Sequence, residues 1–254
     1  MATLAEIRAK LKSQEVNRST SQTGGDNAIY PHWNIQEGSE AVIRFLPDKD
    51  TANTFFWTER NMIKLPFAGI KGQTDSRPIQ VQVPCMEMYG ESCPVLAEVR
   101  PWWNDDTLKS TASQYWKKRS YMFQGFVQDS DFQEKDLPEN PIRKFVIGPQ
   151  IFTLIKSSLL DPDLEALPTD YYNGLDFTIT KTQKGQYADY STSKWARRET
   201  ALTDEQLDAV KEYGLKDLSD WLPEKPSAEA LGAIYEMFEA SVNGELYDPA
   251  RWAK

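Results

Sequence analysis

Three stretches of this 254-residue chain set cations among aromatic rings. In "YWKKRSY", Tyr115 and Trp116 precede Lys117, Lys118 and Arg119, and Tyr121 follows after one serine. In "RPWW", Trp102 and Trp103 follow Arg100 after a proline. "KTQKGQYADYSTSKWARR" interleaves Lys181, Lys184, Tyr187, Tyr190, Lys194, Trp195, Arg197 and Arg198. Cations follow a phosphate backbone and rings stack on splayed bases. The mixture is therefore the chemistry of single-stranded nucleic-acid binding, where each stacked base is worth about 1–3 kcal/mol. A single such ring is more often a core residue, so it is the recurrence that carries the reading. Exposed rings also serve sugars. A carbohydrate- or protein-binding β module of a virion or cell surface is the alternative, although sugars do not need "KKR".

Other chemistry finds less to work with. The one histidine, His32, sits in "YPHWN" and reads as structural. Asp105 and Asp106 read as a solvated turn. "GIKGQ" lacks the spacing and the preceding strand of a phosphate loop. Cys85 and Cys93 are the only cysteines, and a structural zinc takes four ligands. Leu96 stands where a third cysteine would complete a C-x2-C pair with Cys93. Two small buried residues or a local disulfide are the readings left open. The residues do not point to an enzyme.

A net charge of -9 seems to argue against nucleic acid, but it is unevenly placed. Residues 199–254 hold 13 acidic and 5 basic side chains, a net of -8, which leaves -1 for residues 1–198. A near-neutral body can carry a basic groove on one face. No apolar run approaches the roughly 20 residues of a membrane span. The charged N-terminus "MATLAEIRAKLKSQ" is not a secretory signal.

The elements that must position these residues are mainly strands. "AVIRFLP" (41–47) alternates up to a proline, and "RPIQVQVP" (77–84) sets Ile79, Val81 and Val83 on one face. "RKFVIG" and "LDFTITKT" (175–182) read alike. "KKRSYMFQGFVQD" (117–129) puts Tyr121, Phe123 and Val127 on one surface, with Gly125 as a gap. Pro149 opens a helix that stops before Pro162. Several short strands around one helix suit an OB-type barrel. After Thr200 the texture turns helical. Thr203 with Gln206 forms a capping box, and a second helix spans roughly 227–242. Leu4, Ile7 and Leu11 lie at helical spacing ahead of a polar linker, "NRSTSQTGGDN".

"AVIRFLP", "ESCPVL" (91–96), "KKRSYMF", "RKFVIGPQIF" and "YADYSTSKW" follow one another in an order that resembles the single-stranded DNA-binding, helix-destabilising proteins of T-even bacteriophages. The resemblance implies a mainly β fold with α additions, an OB-fold barrel core with an inserted subdomain, an N-terminal helical arm and C-terminal acidic helices. The boundaries it suggests are 1–25 for the arm, 26–200 for the core with its insertion at about 58–115, and 201–254 for the acidic module. It implies sequence-nonspecific, cooperative binding to single-stranded DNA in replication, recombination and repair, in the cytoplasm of an infected bacterium. The implied partners are the chain itself and phage replication and recombination proteins, with no membrane.

By the same resemblance the DNA-binding residues are Arg44, Lys117, Lys118, Arg119, Tyr121, Lys184, Tyr187, Tyr190 and Lys194, joined by neighbourhood with Trp102, Trp103, Tyr115 and Trp116. Self-association falls to Leu4, Ile7, Leu11 and Arg18. The family binds zinc through one His and three Cys. Here only Cys85 and Cys93 remain, so no cofactor is expected and the subdomain must hold by packing through Met86, Met88, Tyr89, Leu96 and Val99.

Overall fold

Apolar residues at every second position make strands wherever one sheet face is buried. The computed structural model describes residues 26–253. The expected arm, with Leu4, Ile7, Leu11 and Arg18, lies outside the described residues. The strands are β1 (Glu40–Phe45), β2 (Thr58–Phe67), β3 (Ile79–Pro84), β4 (Lys118–Ser130), β5 (Arg143–Ile147), β6 (Phe177–Thr180), β7 (Thr182–Lys184), β8 (Tyr187–Asp189) and β9 (Lys194–Trp195). The helices are α1 (Pro94–Val99), α2 (Lys109–Tyr115), α3 (Pro149–Leu159), α4 (Asp204–Tyr213), α5 (Ala228–Val242) and α6 (Pro249–Trp252). The architecture is mainly antiparallel sheet with several helices. The strand pairings form an open path, and among the described residues none closes it into a barrel.

The chain divides into two compact units. The first takes the residues up to Trp57 and Met122–Leu218. Its central strand β1 pairs antiparallel with β4 (Ala41↔Ser130, Phe45↔Gly125) and with β6 (Glu40↔Thr180, Ile43↔Phe177). An irregularity between Val42 and Ile43 shifts the register against β4, the signature of a β-bulge. Phe45 sits at the centre of the core. Its ring centroid lies 4.5 Å from Phe123, 5.9 Å from Phe145, 6.1 Å from Phe177 and 5.9 Å from Trp195. A smaller cluster of Leu46, Phe126, Ile142, Leu202 and Ala209 receives α4. Thr203 and Gln206 cap that helix reciprocally, as the sequence predicts.

Gly125 does not open a gap. It faces Phe45 in the register, and a Cβ there would stand 2.1 Å from the Arg44 carbonyl oxygen. The missing side chain lets β1 and β4 approach each other.

The second unit takes Thr58–Tyr121 and the chain from Ser219 onward. β2 and β3 pair from Met62↔Pro84 to Phe67↔Ile79. α1, α2 and α5 supply the rest of a core built from Ile63, Leu65, Met86, Val95, Leu96, Val99, Tyr115 and Phe238, among others. Met86, Leu96 and Val99 are buried and Tyr89 packs against them. Met88 is half-buried, its sulfur 3.5 Å from the Asn61 N–H. The acidic stretch 201–254 is divided between two cores rather than standing as one module. Leu207 and Val210 of α4 pack in the first unit, and Ile234, Met237 and Phe238 of α5 in the second.

Candidate nucleic-acid interface

In the first unit a hairpin carries the exposed candidates. Lys184 pairs with Tyr187 across a two-residue loop. Gly185 there has φ +65°, while Gln186 is not among the positive-φ residues. That is the type II′ pattern, which favours glycine at the first loop position and matches strand twist. Gln150 of α3 anchors the base of the hairpin. Its amide donates to the Asp189 carboxylate and its carbonyl accepts from Tyr190 N–H at 3.1 Å. The Ser191 hydroxyl, 2.6 Å from Asp189, and Gln150 hold that carboxyl below its usual range. The result is a fixed ribbon that presents Tyr187, 80% exposed, beside an exposed Lys184. Lys184 makes no ion pair among the described residues.

Trp33 extends this surface, and sequence reasoning missed it. It is 47% exposed. Its carbonyl accepts from Lys181 Nζ at 2.6 Å, and its ring meets His32 edge-on at 5.3 Å. His32 in turn meets Tyr190 at 5.9 Å. Burial, and then the Lys181 charge, push the His32 pKa down to about 4, so the imidazole is neutral at pH 7. It is a packing residue, as expected of it. Tyr190 is half-buried, its ring set edge-to-face with His32.

Phe55 and Trp57 were also missed. Their rings lie 4.6 Å apart and 30° off parallel, with Phe55 56% exposed. Trp57 is braced by Phe152 at 5.3 Å and Phe123 at 5.9 Å. The signal was the triplet "FFW". The chain bends here, Phe56 is buried against Phe123 at 5.8 Å, and Phe55 is left to solvent with the half-buried Trp57 beside it.

Arg44 is not an interface residue in this structure. It is completely buried on β1. Its Nε donates to Asp176 at 2.8 Å, and its other nitrogens donate to the carbonyls of Thr200 (3.0 Å) and Asp170 (3.5 Å) and to the Thr200 hydroxyl. A charge taken out of water must be paired and hydrogen-bonded. Arg44 therefore ties the segment 170–200 to the central strand. Lys194 is exposed on β9, opposite Thr178.

In the second unit the cations at 117–119 are largely engaged. Lys117 Nζ lies 2.5 Å from Glu87, a carboxylate that also accepts from Arg100 at 2.6 Å. Lys118 donates to the Ser113 carbonyl at 2.7 Å, near the end of α2. Arg119 is exposed and hydrogen-bonds the Tyr121 phenol. Tyr121 itself is only 6% exposed, and burial raises its pKa. It is a wall of the strand, not an open platform.

Tyr115 is buried too, its hydroxyl 3.0 Å from Ser241 Oγ. Trp102 packs on Phe238, 6.0 Å away and 24° off parallel. Trp103 is exposed, and it meets the half-buried Trp116 edge-on at 5.7 Å.

The structure thus assembles two ring-and-cation surfaces, one in each unit. Among the described residues no three His, Cys, Asp or Glu side chains cluster as a metal site would need. A family model described as gp32 DNA binding protein like matches residues 37–225. The chain belongs to this family. The match takes in every segment that carried the T-even phage resemblance, and it ends before α5 begins. A search of the curated proteins gives no match. As a member of the gp32-like family the chain is a DNA-binding protein of the single-strand-binding type.

The zinc site that the phage resemblance implies would take four donors. Cys85 and Cys93 are buried free thiols that hydrogen-bond each other. That bond and burial push Cys85 up. The same bond, with backbone hydrogen bonds to Leu96, Met86 and Val95, pulls Cys93 down. Leu96 is completely buried in apolar company. Two thiols do not fit a four-ligand zinc.

Proposed function

We propose that this gp32-like protein binds single-stranded DNA cooperatively and without regard to sequence. It serves DNA replication, recombination and repair in the cytoplasm of a phage-infected bacterium, with the phage replication and recombination proteins as partners. The family match over residues 37–225 is the observation that carries the reading. The exposed rings support it. Trp33, Tyr187 and the Phe55–Trp57 pair are the stacking candidates of the first unit, and Lys184 is their phosphate contact. Trp103 and Trp116, with Lys118 and Arg119, are those of the second. The first unit's bulged, antiparallel strands are read as an OB-type core, residues 1–25 as the self-association arm, and the second unit as a subdomain held by packing without zinc.

Titration of the 8 Trp fluorescence with oligo-dT at two salt concentrations tests this directly. Phosphate contacts release counterions, so affinity must fall steeply with salt, whereas affinity for a sugar hardly changes. Absent or salt-independent binding of oligo-dT would overturn the reading.

A further inference from the structure

One buried charge of the first unit is not accounted for by packing. Asp48 is 8% exposed and makes no ion pair among the described residues. Taking a carboxylate out of water is costly unless hydrogen bonds replace its hydration. Three N–H donors do so here. Asp48 Oδ1 accepts from the backbone N–H groups of Asp50 and Leu218, each at 3.1 Å, and Oδ2 accepts from Asn53 Nδ2 at 2.8 Å. The carboxylate stands on a fixed base. The completely buried Gln124 of β4 donates to the carbonyls of Pro47 (2.7 Å) and Lys216 (2.9 Å) and accepts from Lys216 N–H (2.9 Å).

Asn53 carries this order outward. Residues 46–57 join β1 to β2 and belong to no helix or strand, so side-chain hydrogen bonds do much of the work a ladder would do. The Asn53 side-chain carbonyl accepts from Phe55 N–H at 3.0 Å. Its amide donates to the Trp57 carbonyl at 3.3 Å as well as to Asp48. One side chain thus fixes the backbone on both sides of the buried Phe56. Phe55 is left 56% exposed, its ring 4.6 Å from that of Trp57.

We propose that Asp48 and Asn53 are positioning residues for DNA binding, and that they hold Phe55 ready to stack on a base before the strand arrives. Neither touches DNA itself. The proposal rests on the single-strand-binding reading above and gives the Phe55–Trp57 pair its support. A ring on a loose segment must be ordered when a base lands on it, and that ordering subtracts from affinity. A segment ordered beforehand has no such cost at binding. The buried carboxylate makes the order persist. Releasing Asn53 from it would leave a buried acceptor unmet, which costs more than an ordinary hydrogen bond contributes. A buried Asp48 without a cation is thus explained by what it holds in place.

The test titrates full-length variants with a short, single-site oligo-dT. Asn53→Ala should weaken binding roughly tenfold, the cost of ordering two freed rings. Phe55→Ala should weaken it by roughly the same factor, as a lost stacking ring. Because Asn53 acts through Phe55, the double variant Asn53→Ala/Phe55→Ala should bind within about twofold of Phe55→Ala alone. Losses that multiply would place the effect of Asn53 elsewhere and overturn the proposal. Asn53→Asp sets two carboxylates against each other and should bind as poorly as Asn53→Ala. Asp48→Asn/Asn53→Asp exchanges donor and acceptor. It keeps acceptors for Asp50, Leu218 and Phe55, re-forms the bond between the two side chains, and should recover most of the wild-type affinity. Loss of fold cannot imitate that recovery, and an exchange that binds no better than Asn53→Asp would overturn the proposal. Wild-type affinity in Asn53→Ala would do the same. Wild-type affinity in Phe55→Ala would remove the platform and the proposal with it, while the single-strand reading stands. Failure of the wild-type protein itself to bind oligo-dT would overturn that reading first.

Discussion

Replacing two tyrosines separates packing from binding. Tyr121 and Tyr187 look alike in the sequence, each beside cations. The structure leaves Tyr121 6% exposed and Tyr187 80% exposed. Truncating a buried aromatic costs about 3–5 kcal/mol of stability, because the transfer energy is lost and a cavity remains. For a chain of this size that is a fall in melting temperature of roughly 10 °C. Tyr187→Ala removes almost no buried surface, so its stability should stay within about 0.5 kcal/mol of wild type. Its binding should weaken by about 1–3 kcal/mol if the ring stacks on a base, or roughly 5- to 150-fold in Kd. Thermal melting and oligo-dT titration of both variants measure the two quantities apart. A Tyr121→Ala protein that melts like wild type but has lost DNA affinity would refute the argument from burial. A Tyr187→Ala protein with unchanged Kd would remove the hairpin from the interface.

Four further outcomes are expected. Lys184→Ala should lower the salt slope of binding by about 0.7, the share of one phosphate contact on a single strand, as read from Kd at several salt concentrations. Arg44→Met should destabilise the chain by about 3–5 kcal/mol in a denaturant melt, since it leaves Asp176 without its buried partner. His32 is neutral in folded and unfolded chains above pH 6.5. As the pH falls toward about 4 only the unfolded chain takes up the proton, so stability drops by up to about 3 kcal/mol across that window. His32→Gln should flatten that part of the stability curve. Elemental analysis of the purified protein should find well under one zinc per chain, and one tightly held zinc would mean that ligands other than Cys85 and Cys93 exist.

Local signals in the sequence were readable where one segment decides its own structure. The alternation of Ile79, Val81 and Val83 makes β3, Pro149 opens α3, and Thr203 with Gln206 caps α4. What was not readable depends on partners far along the chain. The burial of Arg44, which the phage resemblance set among the DNA contacts, could not be seen because its partner Asp176 is 132 residues away. Tyr115 looked like a platform because the Ser241 that accompanies its hydroxyl is 126 residues away. Two helices of one acidic texture went to different cores because their apolar stripes, not their charges, choose the surface they cover. Phe55 and Trp57 were legible in principle. Three consecutive rings just ahead of β2 are rarely all buried, and Phe55 is the one this structure exposes.

A dense run of cations is not the same as a set of free cations. The counterions released on binding are those condensed on the DNA, and a lysine already paired with a carboxylate gains little when a phosphate replaces its partner. Lys117 is such a lysine, sharing Glu87 with Arg100. To meet DNA it must first leave that carboxylate, which then has to be resolvated or drawn wholly to Arg100. Lys184 makes no ion pair among the described residues. Counterion release, and with it the salt dependence of binding, therefore comes from the cations that look isolated in the sequence more than from the dense run at 117–119. The run gains a different use. Glu87 bridges Arg100 and Lys117, and Lys118 closes on Ser113, so these charges fasten the end of α2 and the start of β4 beside Trp103 and Trp116. Charge density along a sequence thus locates the scaffold of an interface as readily as its contacts. Pairing in three dimensions decides which of the two a given cation serves.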